Sequence, residues 1–305
     1  MEARVTGGTD PVLEQTWRAQ RRWSLAASAA KNSVRRWRLV RLILGVAGAV
    51  LVTAGTQASG DVGTVLSLVG ALCVGLVPLV TSLRLPPERI EAWTRTRSVS
   101  EALKSEVYLY LTRSRPYAGT EAERRTRLTG RRAALEDAAA ELLALLPQSA
   151  PGAYPLPPPV HDVDSYVRER IDQQADRYYA TQVIRMRRGL VRIQFAEFVL
   201  AITGMSLAVV AGTAGGAGAG AWVPVVTTVS ASVMLYGYGV RYQENLISFA
   251  RTAEQLRRLR DDRVARMPLD PAEEARFVER CENVFSIETQ GWMARAASAD
   301  PGPAQ

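Results

Sequence analysis

The sequence predicts an all-α membrane protein with four transmembrane helices in two hairpins, long cytosolic helices around them, and the whole plan built twice. Three observations carry that prediction. Leu39–Thr56 and Thr64–Leu83 are almost free of charge, as are Phe195–Gly212 and Trp222–Val240, and each approaches the ~20 residues that an α-helix needs to cross ~30 Å of hydrocarbon. Basic residues crowd the ends of these segments while the turns between them carry none, which is the charge placement of a membrane protein. Each half also reads in the same order: basic helix, apolar hairpin, long helix, turn, closing helix.

Met1–Asp10 is polar and Gly-containing, a start without a packing signal. Val12–Arg38 is helix-friendly and mixes Trp17, Trp23 and Trp37 with seven basic residues, Arg38 included. It reads as a helix running straight into the first span, with Trp37 at headgroup depth. Gln57–Asp61 is the polar turn of the first hairpin. After Leu85-Pro86-Pro87-Glu88, a helix is predicted over Arg89–Arg113, because Ile90, Trp93, Val99, Leu103, Val107, Tyr110 and Leu111 recur at three- and four-residue steps. Thr120 followed by Glu123 has the form of a capping box, opening a helix over Glu121–Leu146 that buries Leu128, Leu135, Leu142, Leu145 and Leu146. Pro155 and Pro157-Pro158-Pro159 cannot continue it, so 147–161 is a linker. Beyond it come a basic helix over Tyr166–Arg192 and the second hairpin, whose turn runs through Gly220. Helices over Arg241–Arg266 and Ala272–Ala296 follow, divided at Pro268-Leu269-Asp270-Pro271.

A shift of about 155 to 157 residues sets Arg22-Trp23 against Arg177-Tyr178 and the first spans of the two hairpins against each other; repeats of this kind are read as duplicated units. The predicted domains are therefore 1–146, with spans at about 39–56 and 64–83, and 162–305, with spans at about 195–212 and 222–240. Arg35, Arg36, Arg38 and Arg41 precede the first span, and Arg84 and Arg89 follow the second. Arg185, Arg187, Arg188 and Arg192 precede the third, and Arg241 follows the fourth. Positive charge on the inner side places both termini and the central helices in the cytoplasm, with only the turns outside.

The net charge of +8 would also suit nucleic acid, but its position at the span ends argues for lipid instead. No cleaved signal peptide is expected, since about forty polar and basic residues precede the first apolar run. Cys73 lies in a span and Cys281 in a helix, which excludes a disulfide between them, and the single histidine, His161, sits in the linker. There is no Cys/His metal spacing, no phosphate-binding glycine loop and no nucleophile–base set. Asp261-Asp262 and Glu273-Glu274 read as solvated helix faces. No cofactor, metal or enzymatic activity is expected.

Each span carries small or weakly polar residues at helical spacing. Gly45, Gly48, Ala71, Gly75, Gly204 and Ala208 are the helix-packing candidates, because small residues let backbones approach where lipid removes the hydrophobic drive for association. Thr64, Ser67, Thr81, Thr227 and Ser230 are the pore-lining candidates, offering hydroxyls to water once several copies assemble. Glu197 lies about one turn inside the third span, and an ionisable group at that depth calls for a partner or a wet cavity. Its counterpart at the repeat shift is Arg41, which makes Arg41 and Glu197 a candidate intramembrane pair; both pointing into headgroup water is the alternative.

The helix from Trp23 through Lys31 to Arg38, the hairpin behind it, the post-hairpin helix, and the closing run Glu279-Arg280-Cys281-Glu282-Asn283-Val284-Phe285-Ser286-Ile287-Glu288, ending near Trp292, together resemble the SLATT domain. This is the two-transmembrane effector domain associated with SMODS and SLOG nucleotide-sensing systems. Two copies would cover nearly the whole chain. The resemblance implies a homo-oligomeric, pore-forming effector of a bacterial conflict or antiviral system, acting on the inner membrane when a nucleotide signal or a partner sensor protein reports infection. A non-conducting scaffold that recruits a soluble partner through its cytosolic helices is the alternative. No sensor or nucleotide-synthesising domain reads in these residues, which leaves the trigger open.

Overall fold

The computed structural model describes residues 10–147, 155–213 and 217–297, and the regular structure among them is helical throughout. The polar start at 1–9, the middle of the linker at 148–154 and the centre of the second hairpin turn at 214–216 lie outside the described residues. In chain order the elements are α1 (Pro11–Gln57), α2 (Gly60–Arg84), α3 (Pro87–Leu111), α4 (Glu121–Asp137) and a 3₁₀ turn at Ala140–Leu145. Then follow α5 (Val163–Tyr166), a π-helical segment (Val167–Tyr179), α6 (Ala180–Ala211), α7 (Ala217–Gly220), α8 (Val223–Val240), α9 (Tyr242–Ala265) and α10 (Pro271–Ala297).

Four helical stretches are long and apolar enough to cross a membrane: within Pro11–Gln57, Gly60–Arg84, Val163–Ala211 and Gly218–Ala265. They contain three of the predicted spans whole and the third, Phe195–Gly212, up to Ala211. The first basic helix and the first span are one unbroken α1, and only Ala58 and Ser59 separate it from α2. Gly60 opens α2 at φ +69°, a conformation that a residue with a Cβ resists. Between α8 and α9 the chain turns at Arg241, held at φ +53° with its N–H shared by the carbonyls of Gly237 and Tyr238.

Cα packing divides the chain into two compact units, each taking segments from both sequence halves. The hairpin unit comprises Asn32–Pro87 and Gln182–Ile247. The polar-helix unit comprises Met1–Lys31, Glu88–Thr181 and Ser248–Gln305. Within the latter, one core packs Ala19, Trp23 and Ala26 of α1 against Leu103 of α3 and Ala139, Leu142 and Leu146. A second joins Leu13 and Trp17 to Val107, Tyr110, Tyr117 and Leu128. Trp23, Leu103, Val107 and Leu128 are fully buried, so the predicted apolar face of α3 is the face that packs.

The helix expected over Glu121–Leu146 stops early. The α-helix ends at Asp137, and after Ala138–Ala139 the chain tightens into the 3₁₀ turn. That change of winding turns Leu142 and Leu146 into the core while Leu145 faces out, 50% exposed. The start of α4 follows expectation: the Thr120 hydroxyl accepts from the Glu123 N–H, and a Glu123 carboxylate oxygen accepts from the Thr120 N–H at 2.9 Å. Thr120→Ala removes that box and is expected to cost about 1 kcal/mol, a loss of about 3 °C in the unfolding midpoint followed by circular dichroism in detergent.

Candidate functional site

In the first hairpin, α1 and α2 approach closely enough to meet backbone to backbone. A Cβ on Gly55 would stand 2.7 Å from the Ser67 nitrogen and 2.8 Å from the Gly63 oxygen, one on Gly48 2.6 Å from a Val74 methyl, and one on Gly70 2.6 Å from the Val52 nitrogen. Gly48, Gly55, Gly63 and Gly70 are accordingly buried. This is small-residue packing of the kind that lets helices associate in lipid. Gly45 faces the Ser232 hydroxyl and Gly204 faces Val226, each at 3.4 Å. Of the six packing candidates, Gly45, Gly48 and Gly204 therefore meet a neighbouring helix. Ala71, Gly75 and Ala208 are exposed, and nothing lies within 4 Å of a Cβ on Gly75. Within one chain those three do not pack, because the glycines of α2 that face α1 are Gly63 and Gly70, on a different side of the helix.

The hydroxyl candidates bond mainly to their own helices. Thr81 donates to the Val77 carbonyl at 2.9 Å and Thr227 to the Val223 carbonyl at 3.0 Å, while Thr64 makes a longer 3.5 Å contact to the Gly60 carbonyl. Back-bonding of this kind satisfies a hydroxyl in a helix that has no water beside it. Thr64 and Thr227 are exposed, and Ser67, Thr81 and Ser230 are half-buried. Arg41 and Glu197 are both half-buried and form no ion pair with each other among the described residues. The pseudo-symmetric pairing suggested by the repeat is thus absent from the single chain.

Large apolar side chains cover the outside of the spans. Leu68, Leu72, Leu79 and Leu83 on α2, and Phe195, Phe198, Met205 and Val209 on α6, are each more than half exposed. A water-facing helix would not present such a surface, and a lipid-facing one must. At the end of α2 the Arg84 guanidinium lies 4.8 Å from the centre of the Trp37 ring, a cation–aromatic pair suited to the headgroup zone. The protein is a multi-pass membrane protein.

The polar-helix unit holds a different feature, a buried charge centre assembled from α3, the π-helical segment and α10. Arg170 is 1% exposed and Glu282 is 4% exposed. The guanidinium grips the carboxylate with two bonds of 3.1 Å, and the Tyr166 hydroxyl donates to the same carboxylate at 2.9 Å. The guanidinium carbon lies 4.1 Å from the Phe285 ring centre and 4.8 Å from that of Tyr108, and Glu101 stands 4.0 Å from Arg170 Nη1. That Nη1 has no hydrogen-bond partner. Burial opposes a charged Arg170, but the Glu282 and Glu101 carboxylates outweigh it and hold the group protonated. Burial pushes the Tyr108 phenol up to about 12 and drives the Cys281 thiol up as well, leaving that thiol unreactive.

Lys104 and Arg97 complete the centre. Burial, helped by the positive charge of Arg170 and Arg97, pushes the Lys104 ammonium down to about 8, against the pull of Glu101 and Glu282. Unfolding restores an ordinary lysine near 10.5, so the unfolded chain takes up a proton between about pH 8 and pH 10.5. The contribution of this group to stability therefore rises with pH across that window. Lys104→Met is expected to flatten that part of the stability–pH profile, measured by thermal unfolding at pH 8, 9 and 10.

Sequence spacing does not reveal this centre. Tyr166, Arg170, Ile171, Ala175 and Tyr179 are all buried, a four-to-five-residue step that an α-helical reading treats as scattered. With i→i+5 bonding they share one side, and π-helical turns recur at functional positions. The closing run of α10 carries the family resemblance, but nothing in its spacing marks Glu282 as a buried partner. Among the described residues, no group of His, Cys, Asp and Glu is arranged to hold a metal.

Comparison with known proteins follows the two sequence halves. Residues 21–125 match a family described as a protein of unknown function (DUF4231), and residues 166–292 match the SMODS and SLOG-associating 2TM effector domain 1. No curated protein and no solved structure matches. The second match begins at Tyr166 and runs through the second hairpin to Trp292, taking in both partners of the Arg170–Glu282 pair. The chain is therefore a multi-pass membrane protein whose residues 166–292 are SLATT-like, similar to the SMODS and SLOG-associating 2TM effector domain 1.

Proposed function

We propose that this protein is a homo-oligomeric effector of the bacterial inner membrane that opens a pore in a nucleotide-triggered conflict or antiviral response. The match of residues 166–292 to a 2TM effector domain, within a chain of four spans, carries the reading. Both termini and the polar-helix unit lie in the cytoplasm in this proposal, following the basic residues at the span ends. Thr64, Ser67, Thr81, Thr227 and Ser230 line the conduit between copies. A hydroxyl that donates to its own backbone still accepts from water. Opening is a two-state change biased by a nucleotide or a sensor protein bound to the cytosolic helices. No catalytic step, cofactor or nucleic acid enters the mechanism.

Induced expression in cells loaded with a potential-sensitive dye tests the reading. Depolarisation within minutes of induction or of activation by the cognate signal is the expected result, and a polarised membrane under every activating condition overturns it. The second reading, a non-conducting scaffold that holds a soluble partner, is favoured by one observation: the hydroxyls of Thr81 and Thr227 are turned back onto their own helices. A chain that stays monomeric, leaves the potential intact and captures one defined soluble partner would establish it.

A further inference from the structure

Where α9 turns into α10, the polar-helix unit has a cleft of about 610 Å³ with four arginines in its wall, Arg263, Arg266, Arg276 and Arg280, against two carboxylates, Glu273 and Glu279. The carboxylates are already engaged. Glu279 accepts from the backbone N–H of Arg115 at 3.1 Å, and the Glu273 carboxylate accepts from the backbone N–H of Asp270 at 3.4 Å, where α10 begins. Arg263 is the structural member of the set. It is buried, bonded to Asp164 at 2.7 Å and to both oxygens of Glu274, and its guanidinium lies over the Phe277 ring.

The remaining three guanidiniums share little. Arg266 pairs with Asp262, and Arg280 reaches the same carboxylate only at 3.9 Å. Arg276 makes no ion pair or hydrogen bond among the described residues. Arg276 and Arg280 are four apart on one helix, where like charges repel. Three forked donors around a cleft, two of them sharing Asp262 and the wall's own Glu273 and Glu279 bonded to backbone N–H groups, are matched to phosphate oxygens, which guanidinium binds two at a time.

From this geometry we infer a binding site for a phosphorylated anion in the α9–α10 cleft, with Arg266, Arg276 and Arg280 as its ligands and Arg263 as the buried post that fixes the wall. The site does not depend on whether the spans conduct. Phosphate chemistry reaches a membrane protein from two sources, a soluble phosphorylated metabolite and an anionic lipid headgroup, and the test separates them. The full-length chain in neutral detergent is titrated calorimetrically with inorganic pyrophosphate, and separately with short-chain phosphatidylglycerol and with short-chain phosphatidylcholine as the zwitterionic control. Wild type is expected to bind pyrophosphate or phosphatidylglycerol, less tightly as salt is added, and R276A/R280A is expected to bind about tenfold more weakly or not at all. Whichever of the two anions binds identifies the source. Should circular dichroism show that the alanine variant has lost helix, R276K/R280K, which keeps the charge but not the fork, supplies the comparison and is expected to bind more weakly than wild type. Failure of both anions to bind wild type, or unchanged affinity in the folded variants, overturns the inference.

Discussion

Arg170→Ala is expected to cost the polar-helix unit about 3–5 kcal/mol, because removing one partner of a buried ion pair strands the other. Glu282 would be left with only the Tyr166 hydroxyl to serve it, at a site 4% exposed. Phe285 and Tyr108 would each lose the guanidinium they pack against. For a unit of this size such a loss lowers the unfolding midpoint by about 10 °C, readable by circular dichroism in detergent and as early cleavage under limited proteolysis. The double variant Arg170→Met/Glu282→Leu is expected to recover a good part of the loss, since apolar groups of similar volume tolerate a buried site better than one unpaired charge. A single variant as stable as wild type would show that Glu282 finds another partner, and Lys104, whose ammonium that carboxylate already stabilises, is the cation to test. The pair ties the π-helical segment to α10 across more than a hundred residues of sequence, so its loss should separate the closing helix from the element that precedes the second hairpin.

What the sequence could tell and what it could not divide along physical lines. Apolar runs bounded by arginine are a one-dimensional signal, and all four spans fall where composition places them. The capping box at Thr120 and Glu123 is equally local and equally legible. The 3₁₀ turn at Ala140–Leu145 is not, because nothing in a run of Ala, Glu and Leu announces that the helix tightens; the core that receives Leu142 and Leu146 decides it. Long-range pairing leaves no local trace in the sequence. Arg170 and Glu282 sit in charged helices with ordinary solvated neighbours, and only the fold shows that these two members of the crowd are inside. The arginines of the α9–α10 cleft were equally visible and equally mute, since Arg276 and Arg280 acquire meaning only when the turn at Pro268–Pro271 brings Arg266 beside them.

Gly55→Leu should break the first hairpin while Gly75→Leu leaves it intact, and the contrast separates two meanings of a small residue in a span. At Gly55 even a Cβ would lie within 2.8 Å of backbone atoms of α2, and backbone cannot swing aside as a side chain can. The helices must part, and overpacking of this kind costs about 1–3 kcal/mol, with backbone in the way placing Gly55 at the upper end. Parting α1 from α2 also breaks the contacts at Gly48, Gly63 and Gly70, so the variant is expected to lose its compact form in native electrophoresis and to unfold well below wild type. At Gly75 a side chain enters open space, and a single chain has nothing to clash with. If copies assemble through the outward face of α2, Gly75→Leu will therefore change the oligomer without changing the stability of its subunit, read as a shift in cross-linked species at an unaltered unfolding temperature. If Gly75→Leu alters neither, that face meets lipid alone, and an assembly must be built on another surface.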